Sequence, residues 1–495
     1  MKPTRSISFT GLILGLFLTT VATTGLLRAQ YAEDALRLSI FNMGIGARSS
    51  GMGNTSIGVA NDYSSLFSNP AGLTSLRSFE FSAGLSNVGY NDDAAIFGNT
   101  LNANNRVTNL NNLGLVYPIA TTRGSLSFAF GFARVANYAT SASFSGFNPN
   151  TSIVEALTPD VNLNSMSDAD RKDLLDNNIP YQIYLADTLN GRLYPNVTDS
   201  VQQEGNIIEG GGLNSWSFGA GIEIARGLSL GVGINILSGS YTYDRLYTES
   251  DSKRVYLLNL NRSDFNRFQY ESTINSDISG YNVLIGLMYS KQGRYKLGAT
   301  IRTPTYYDIS EDFSDIGNSW FYNNGDHYTM KTSGSTKYNV KTPVVLSVGG
   351  SLQATDWLLL AGDAEYTDWT QMEFTNDNPD LVDENRVIRD VYRATTNLRG
   401  GAEVSLLNYG VKLRGGIVYN PSPYKGDPTS FDQLYYTAGI GGALEDNVLL
   451  NASIAFGKWS TFRDNYYLSG IDTPPSRTSE SVTTNSINVT LSYRF

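Results

Sequence analysis

Polar and apolar residues alternate along most of this chain with a period of two, the period of a β-strand that separates two environments. From position 228 to 236 every even residue is Leu, Val or Ile, and every odd residue is Ser, Gly or Asn. The last residues repeat this alternation and end on Phe495. The chain contains fourteen such segments, which are roughly residues 77–86, 110–120, 124–146, 214–225, 228–249, 273–291, 295–311, 335–354, 357–374, 391–406, 409–420, 434–444, 447–461 and 481–495. The pattern predicts an all-β fold of fourteen antiparallel strands.

The connections between these segments alternate in length. Those that follow an even-numbered segment are tight, such as Arg226-Gly227 and Thr355-Asp356, whereas the other seven run from about a dozen residues to roughly sixty. Short turns in the periplasm and long loops outside are typical of outer-membrane barrels. An even strand number also places both chain ends on the periplasmic side. We therefore predict a 14-stranded antiparallel transmembrane β-barrel over residues 76–495, with long extracellular loops.

Charged side chains in the strands are expected to point into the lumen. An Arg or Lys on the lipid face near the midplane costs roughly 2–4 kcal/mol. The alternation then places six charged residues inside on neighbouring strands, which are Asp363, Glu365, Arg399, Glu403, Lys412 and Arg414. We expect opposite signs to pair there and to hold water or a plug, and a substrate path is the alternative interpretation.

The third segment breaks the alternation. Its outward row runs from Leu126 to Phe132, and the same parity would place Arg134 in lipid. One extra residue near 133–136, a β-bulge, would turn Arg134 inward and bring Val135 out. Such a bulge interrupts the ladder and can leave a gap in the wall, so we predict a kink in this strand beside the plug. The alternative is that Arg134 lies near the interface and snorkels.

The glycine-rich stretch Gly46–Leu73 does not alternate at all. It contains Asn69-Pro70-Ala71-Gly72, in which the proline fixes its own φ and pushes Asn69 toward an extended conformation. A compact non-β segment ahead of a long β array predicts a plug, and we define the hatch as residues 31–75. The alternative is a mobile leader without a role.

The first thirty residues have the composition of an export signal. Lys2 and Arg5 precede an apolar core and a small-residue tail, and the first acidic residue is Glu33. We predict a signal peptide over residues 1–30, cleaved between Ala29 and Ala32. A single membrane-anchoring helix is the alternative.

Composition supports a barrel and excludes several other classes. Charged residues are 17% of the chain, and there are 48 glycines, 31 tyrosines and 22 phenylalanines. The absence of cysteine excludes disulfides and thiolate catalysis, and a net charge of −10 gives nucleic-acid binding no electrostatic support. The single histidine, His327, is expected in a solvated loop. We predict that the protein is not an enzyme and needs no cofactor and no metal.

Three motifs resemble the FadL-like outer-membrane transport family of long-chain fatty acid and hydrocarbon transporters. They are the Asn-Pro-Ala motif within Gly46–Leu73, DWLLLAGDAEYTDW at Asp356–Trp369 and LRGGIVYNPSPYKGD at Leu413–Asp427. The resemblance implies a 14-stranded barrel occluded by the hatch, in which apolar ligands captured outside pass along an interior tunnel. It also implies that the ligand leaves through a gap at a kink in the third strand, where the Asn-Pro-Ala corner sits.

We therefore expect an outer-membrane channel of a Gram-negative bacterium for hydrophobic small molecules such as long-chain fatty acids. The predicted ligand-binding residues are Ile40, Phe41, Met43 and Ile45, which could instead only pack the hatch, and the predicted gate comprises Asn69, Pro70, Ala71, Gly72 and Arg134. The expected partners are the hydrophobic substrate, outer-membrane lipid and the barrel-assembly machinery, which reads the terminal Phe495, and we expect a monomer. The alternatives are a general porin, and a component of a secretion or assembly system or a surface adhesin.

Overall fold

The computed structural model describes residues 24–41, 44–59, 61–258, 263–291, 294–323, 325–376, 379–406, 409–468 and 474–495. Fourteen antiparallel strands form a closed barrel, so the predicted fold class is confirmed. The strands are β1 (Glu80–Ile96), β2 (Asn99–Ile119), β3 (Leu126–Asn137 and Thr140–Asn148), β4 (Val201–Ala225), β5 (Leu228–Ser250), β6 (Phe265–Lys291), β7 (Tyr295–Arg302 and Tyr306–Phe321), β8 (His327–Lys341 and Val345–Thr355), β9 (Leu358–Asp368), β10 (Ala394–Leu406), β11 (Val411–Asn420), β12 (Gln433–Glu445), β13 (Val448–Tyr466) and β14 (Ser476–Arg494). Pairing of β14 with β1, from Glu80↔Arg494 to Ala95↔Ser479, closes the barrel.

Short helices accompany the barrel at its N-terminus and between strands. They are α1 (Thr24–Ser39), α2 (Ala47–Gly51), α3 (Ser65–Ser68), α4 (Ile153–Ala156), α5 (Asp168–Asn177), α6 (Ile179–Gln182), α7 (Val255–Leu258) and α8 (Pro379–Val391), with 3-10 turns at Pro70–Ser75, Leu163–Ser165, Trp369–Gln371 and Thr429–Phe431. In the part of the chain that the structure describes, no helix combines the length and the apolar character that crossing a membrane requires.

The two faces of each strand differ in polarity as the alternation predicted. On β5, Leu230, Val232 and Ile234 are 40%, 43% and 52% exposed on the outside, whereas Ser229 and Asn235 are buried inside. Outward apolar residues on the other strands continue this row around the barrel. The result is a continuous apolar belt, the surface that a bilayer covers.

Two of the seven predicted long loops, those between β1 and β2 and between β7 and β8, are almost entirely strand instead. Strands β1 and β2 meet at a turn of only two residues, Phe97 and Gly98, whose φ angles of 47° and 85° suit such a hairpin. His327 begins the first part of β8 and stacks on Trp320 with ring centroids 4.7 Å apart, so its assignment to a loop is wrong. Above the belt the outward positions are polar, and some buried inward positions such as Asp92 are polar as well, so the alternation that marks a strand is weaker. We call this side of the barrel the loop end and the opposite side the turn end.

A folded cap, residues 149–200, covers the loop end. It contains α4, α5, α6 and a two-stranded ribbon formed by Ala186–Leu189 and Arg192–Pro195. Its Ile153, Ile179 and Ile183 are buried against aromatic residues of the surrounding strands. The longest connection in the chain is therefore an ordered domain-like insert.

Helix α1 crosses the predicted boundary between signal peptide and hatch. Residues 1–23 of the predicted signal lie outside the described residues, and the helix runs without a break from Thr24 to Ser39. Its Ala35, Leu36 and Leu38 are buried in a cluster that fills the loop-end half of the lumen together with α8. The Tyr392 hydroxyl donates a hydrogen bond of 3.0 Å to the Ala32 carbonyl oxygen.

Hatch residues 44–59 and 61–75 fill the turn-end half of the lumen. Their backbone lies directly against inward-facing glycines of the wall. A Cβ atom at Gly231 would overlap Pro70 and Ala71, and a Cβ atom at Gly416 would overlap Gly53. The glycines in these strands are thus the positions at which the hatch needs the wall to have no side chain.

One carboxylate connects the hatch to two barrel strands. Glu403 of β10 accepts hydrogen bonds from Arg48 Nε of the hatch at 3.0 Å and from Arg414 Nε of β11 at 2.8 Å. Lys412 Nζ lies 3.2 Å from the other oxygen. The Glu403 and Arg414 side chains are 4% and 2% exposed. These lumen charges pair, as predicted.

The other predicted lumen charges also have partners inside the barrel. Asp363 accepts hydrogen bonds from the backbone N–H groups of Ser56 and Ile57 in the hatch, at 2.6 and 3.0 Å. Arg399 Nη2 donates to Glu365 Oε1 at 2.9 Å. The inward charges of β9, β10 and β11 therefore hold the hatch and one another.

We predict that Gly231→Ala displaces the hatch, whereas Gly362→Ala does not. The first Cβ meets backbone atoms of Pro70 and Ala71, and overpacking of this kind costs about 1–3 kcal/mol. The second faces outward, and its nearest atom, the Arg399 carbonyl oxygen, is 3.6 Å away. Thermal unfolding of the purified barrel should show a lower midpoint for Gly231→Ala only. Equal midpoints for the two variants would contradict the close contact.

We also expect Glu403→Gln to loosen the hatch. The substitution leaves Arg48 and Arg414 without their shared carboxylate, and breaking a buried ion pair costs about 3–5 kcal/mol. Limited proteolysis should then cut within the hatch faster than in the parent protein. The control is Glu373→Gln, because the Lys341–Glu373 pair is exposed. Protection equal to that of the control would show that Glu403 does not anchor the hatch.

Candidate functional site

A cavity of about 200 Å³ lies between the end of α1, the hatch and the barrel wall. Ile40, Phe41 and Ile45 line it, together with Phe67 of the hatch and Val135 of β3. Met43 lies outside the described residues. The structure therefore brings three of the four predicted ligand-binding residues to one cavity, and their role in binding stays a prediction.

Two arginines and one carboxylate form the polar side of this cavity. Arg399 is hydrogen-bonded to Glu365, whereas Arg302 Nη2 stays 3.8 Å from the nearer Glu365 oxygen. The Arg302 guanidinium lies over the Phe41 ring, 4.5 Å from its centroid. The cavity wall thus carries one more positive than negative charge, beside an apolar surface.

The Asn-Pro-Ala-Gly corner is buried, but not at the kink of the third strand. Asn69 Nδ2 donates hydrogen bonds to the carbonyl oxygens of Ile57 at 2.9 Å and of Leu287 in β6 at 3.2 Å. Its Oδ1 accepts from the Ala71 N–H and caps the 3-10 turn that begins at Pro70 and includes Gly72. The corner lies against β4, β5 and β6, and not at the kink of β3 where the family resemblance places it.

Strand β3 contains the predicted bulge, but its side chains point the other way. The register with β4 shifts between Arg134 and Ala136, so Val135 is the extra residue. Val135 and Ala136 are both buried toward the lumen. Arg134 pairs with Asn214, which lies two residues from the exposed Trp216 and on the same face of β4. Arg134 therefore stays on the outer side. The prediction that Arg134 turns inward and Val135 outward is wrong.

Arg134 is accommodated by polar groups at the outer side of β4. Its Nη2 donates to the Gly211 carbonyl oxygen at 2.7 Å, and its Nη1 donates to Asn214 Oδ1 at 3.2 Å. The apolar belt ends at this level, since Trp216 below is exposed and Asn214 is polar. This is the position in which a snorkelling arginine is tolerated.

The barrel wall has a gap above the bulge. The ladder between β2 and β3 runs from Ile119↔Leu126 to Asn112↔Ala133 and ends there. The next link is a side chain, Asn105, whose Nδ2 donates to the Thr140 and Glu209 carbonyl oxygens. We call the region between 106–111 of β2 and 134–139 of β3 the wall gap; these residues are all described, and no ladder pair joins them.

A second bulge borders the wall gap on β2. The register with β1 passes from Gly84↔Asn112 to Leu85↔Leu110, which leaves Asn111 as the extra residue. The Asn111 side chain accepts a hydrogen bond from the Gly46 N–H of the hatch at 3.0 Å. Two bulges facing each other turn both strands away from their common seam, which is why the ladder cannot continue.

Sequence reasoning missed Arg302 and Asn111, although both left a signal. Ile301 faces outward, so parity alone places Arg302 in the lumen. The outward Leu110 is followed by Leu113 after three residues instead of two, the spacing that one bulged residue produces.

Comparison with solved structures finds the same architecture in other barrels. The Pseudomonas putida toluene transporter TodX has a TM-score of 0.55 and 15% identity, over 91% of this chain and 99% of that chain. A Pseudomonas aeruginosa FadL homologue has a TM-score of 0.53 and 13% identity, over 92% and 100%. The Ralstonia pickettii toluene transporter TbuX has a TM-score of 0.50 and 16% identity, over 91% and 98%. At these identities the likeness shows the fold, and it confirms the FadL-like resemblance at that level.

Comparison at the level of sequence gives the family. No curated protein matches this chain. The family model described as BamG matches residues 193–465. Because that match spans more than half of the chain, the protein belongs to the BamG family.

Proposed function

We propose that this protein lies in the outer membrane of a Gram-negative bacterium and takes up hydrophobic small molecules. The observation that supports this most is the position of Val135. This residue lines the interior cavity and is also the bulged residue at the edge of the wall gap. A ligand in the cavity is therefore next to a place where the wall has no ladder hydrogen bonds, and a lateral exit at the upper edge of the apolar belt is short.

The route begins outside, at the loop end. The cavity reaches Pro421, Ser422 and Pro423 in the connection between β11 and β12, and this is the side from which a ligand enters. The hatch blocks the turn end, because its backbone is packed against the wall. Transfer of apolar surface from water into this cavity is favourable by about 25 cal/mol per Å² and provides the driving force. The general porin, which needs an open constriction, fits such a filled lumen poorly.

The charges in the cavity favour an amphiphile with one carboxylate as the substrate. Arg302 lies within the apolar lining and does not form a close ion pair with Glu365. A carboxylate head at Arg302 would balance the surplus charge, and the tail would lie along Ile40, Phe41 and Ile45. A volume of about 200 Å³ is below that of pockets for drug-sized ligands, so a long tail extends toward the wall gap. Long-chain fatty acids have this chemistry.

A component of a secretion or assembly system, or an adhesin, is the second candidate. The folded cap and the packed α1 favour it, because both fill the loop end with ordered protein. Such a protein would retain partner proteins and no lipid on purification, and mass spectrometry of the purified sample separates the two functions.

Deletion of Val135 should abolish uptake through the lateral exit. Removing the extra residue restores the register of β3 with β4 and takes away one of the two bulges that turn β2 and β3 apart, so the wall gap narrows. The measurement is uptake of a labelled long-chain fatty acid by cells that produce the full chain. Val135→Ala is the control, since it keeps the bulge and should transport. Unchanged uptake by a correctly folded deletion variant would contradict the lateral exit.

Arg302→Gln should weaken binding of the acid but not of its methyl ester. A hydrogen bond to a charged group contributes about 1.5–3 kcal/mol, which corresponds to a loss of at least tenfold in affinity. The ester lacks the charge, so its affinity should stay the same. Titration of the purified protein with both ligands makes the comparison. An equal loss for acid and ester would show that Arg302 only shapes the cavity.

A further inference from the structure

The hatch touches the barrel wall where the seam between β2 and β3 ends. Tyr63 of the hatch is 2% exposed, and its hydroxyl oxygen lies 3.0 Å from the Leu113 carbonyl oxygen and 3.1 Å from the Phe132 carbonyl oxygen. Leu113 and Phe132 face each other across the seam, one pair below its last pair. One hydroxyl of the hatch thus bridges both strands directly below the wall gap.

This bridge is possible because the wall has no side chains there. Gly114 and Gly131 form the next pair of the seam, and a Cβ atom on either would overlap the Tyr63 phenol. The Tyr63 backbone is also held in place, since its N–H donates a hydrogen bond to Glu80 Oε1 at 3.0 Å. The phenol is therefore held in one place against the seam.

A second hatch contact lies on the other side of the last pair. The Gly46 N–H donates to Asn111, the bulged residue of β2. The last ladder pair, Asn112↔Ala133, lies between the two contacts. The hatch thus holds the end of the seam both above and below that pair.

We infer that Tyr63, together with Gly46 through its hydrogen bond to Asn111 of β2, makes the hatch a clamp that sets where the seam ends, and hence how large the wall gap is. Residues next to the clamp line the cavity, because Ile45 precedes Gly46 and Ser64 follows Tyr63. A ligand that displaces either lining residue moves the adjacent clamp residue with it. Filling of the cavity is thereby coupled to loosening of the seam. The role of the clamp in ligand release rests on the lateral exit proposed above. The clamp as a structural feature does not.

Hydrogen exchange of the full-length protein without ligand tests the clamp. Tyr63→Phe keeps the ring and removes the hydroxyl, so exchange of the amides in 112–114 and 131–133 should rise about fivefold to tenfold, as expected for loss of one hydrogen bond. Exchange of the Tyr117 and Ile119 amides in the lower seam should not change. Tyr138→Phe is the control, because it removes from the same strand region a buried hydroxyl that has no hydrogen-bond partner among the described residues. Equal exchange in the Tyr63→Phe and Tyr138→Phe variants overturns the clamp.

A second variant covers the case in which Tyr63→Phe does not fold. Asn111→Ala removes the acceptor of the Gly46 N–H, which is the hatch contact above the last ladder pair. It should raise hydrogen exchange in the same amides. An unchanged pattern in Asn111→Ala overturns the clamp equally. Uptake measured on these variants reports separately on the lateral exit. Faster seam exchange without any change in uptake supports the clamp and contradicts the exit.

Discussion

The structure depends on contact between two backbones, that of the hatch and that of the wall. At Gly231, Gly401 and Gly416 the strands carry no side chain on the inside, and the hatch occupies the space that a Cβ atom would take. Close packing of this kind leaves no room for adjustment, so hatch and wall have one relative position. The ion pairs around Glu403 then join a hatch and a wall whose relative position is already fixed by this packing.

Most of the fold could be predicted from the sequence where the two strand faces meet different media. The residues of β5 illustrate this, because lipid selects the outer set and the filled lumen selects the inner set. The hairpin of β1 and β2 shows the limit. Residues 99–111 read NTLNANNRVTNLN and carry polar side chains on both faces, so polarity does not reveal a strand. The signal peptide stays a prediction, since residues 1–23 lie outside the described chain.

The candidate site could be predicted only in part. The apolar residues before the hatch identify Ile40, Phe41 and Ile45 through their local sequence. Parity also indicates an extra residue near Arg134. The side to which the Arg134 side chain points, however, depends on Asn214, which is 80 residues away along the chain. The position of Asn69 depends on Leu287, 218 residues away. Long-range partners of this kind decide the orientation of a residue and leave no local pattern.

The length of β6 has a consequence for where recognition takes place. Its 27 residues extend roughly 90 Å along the strand at about 3.4 Å per residue. With a tilt of about 40° and an apolar band about 25 Å tall, roughly 40 Å of its height lies outside the apolar band. The strands therefore extend well past the apolar band and hold the cap beyond the lipid head groups. Whatever approaches from outside meets a protein surface at a height greater than the thickness of the hydrocarbon layer itself.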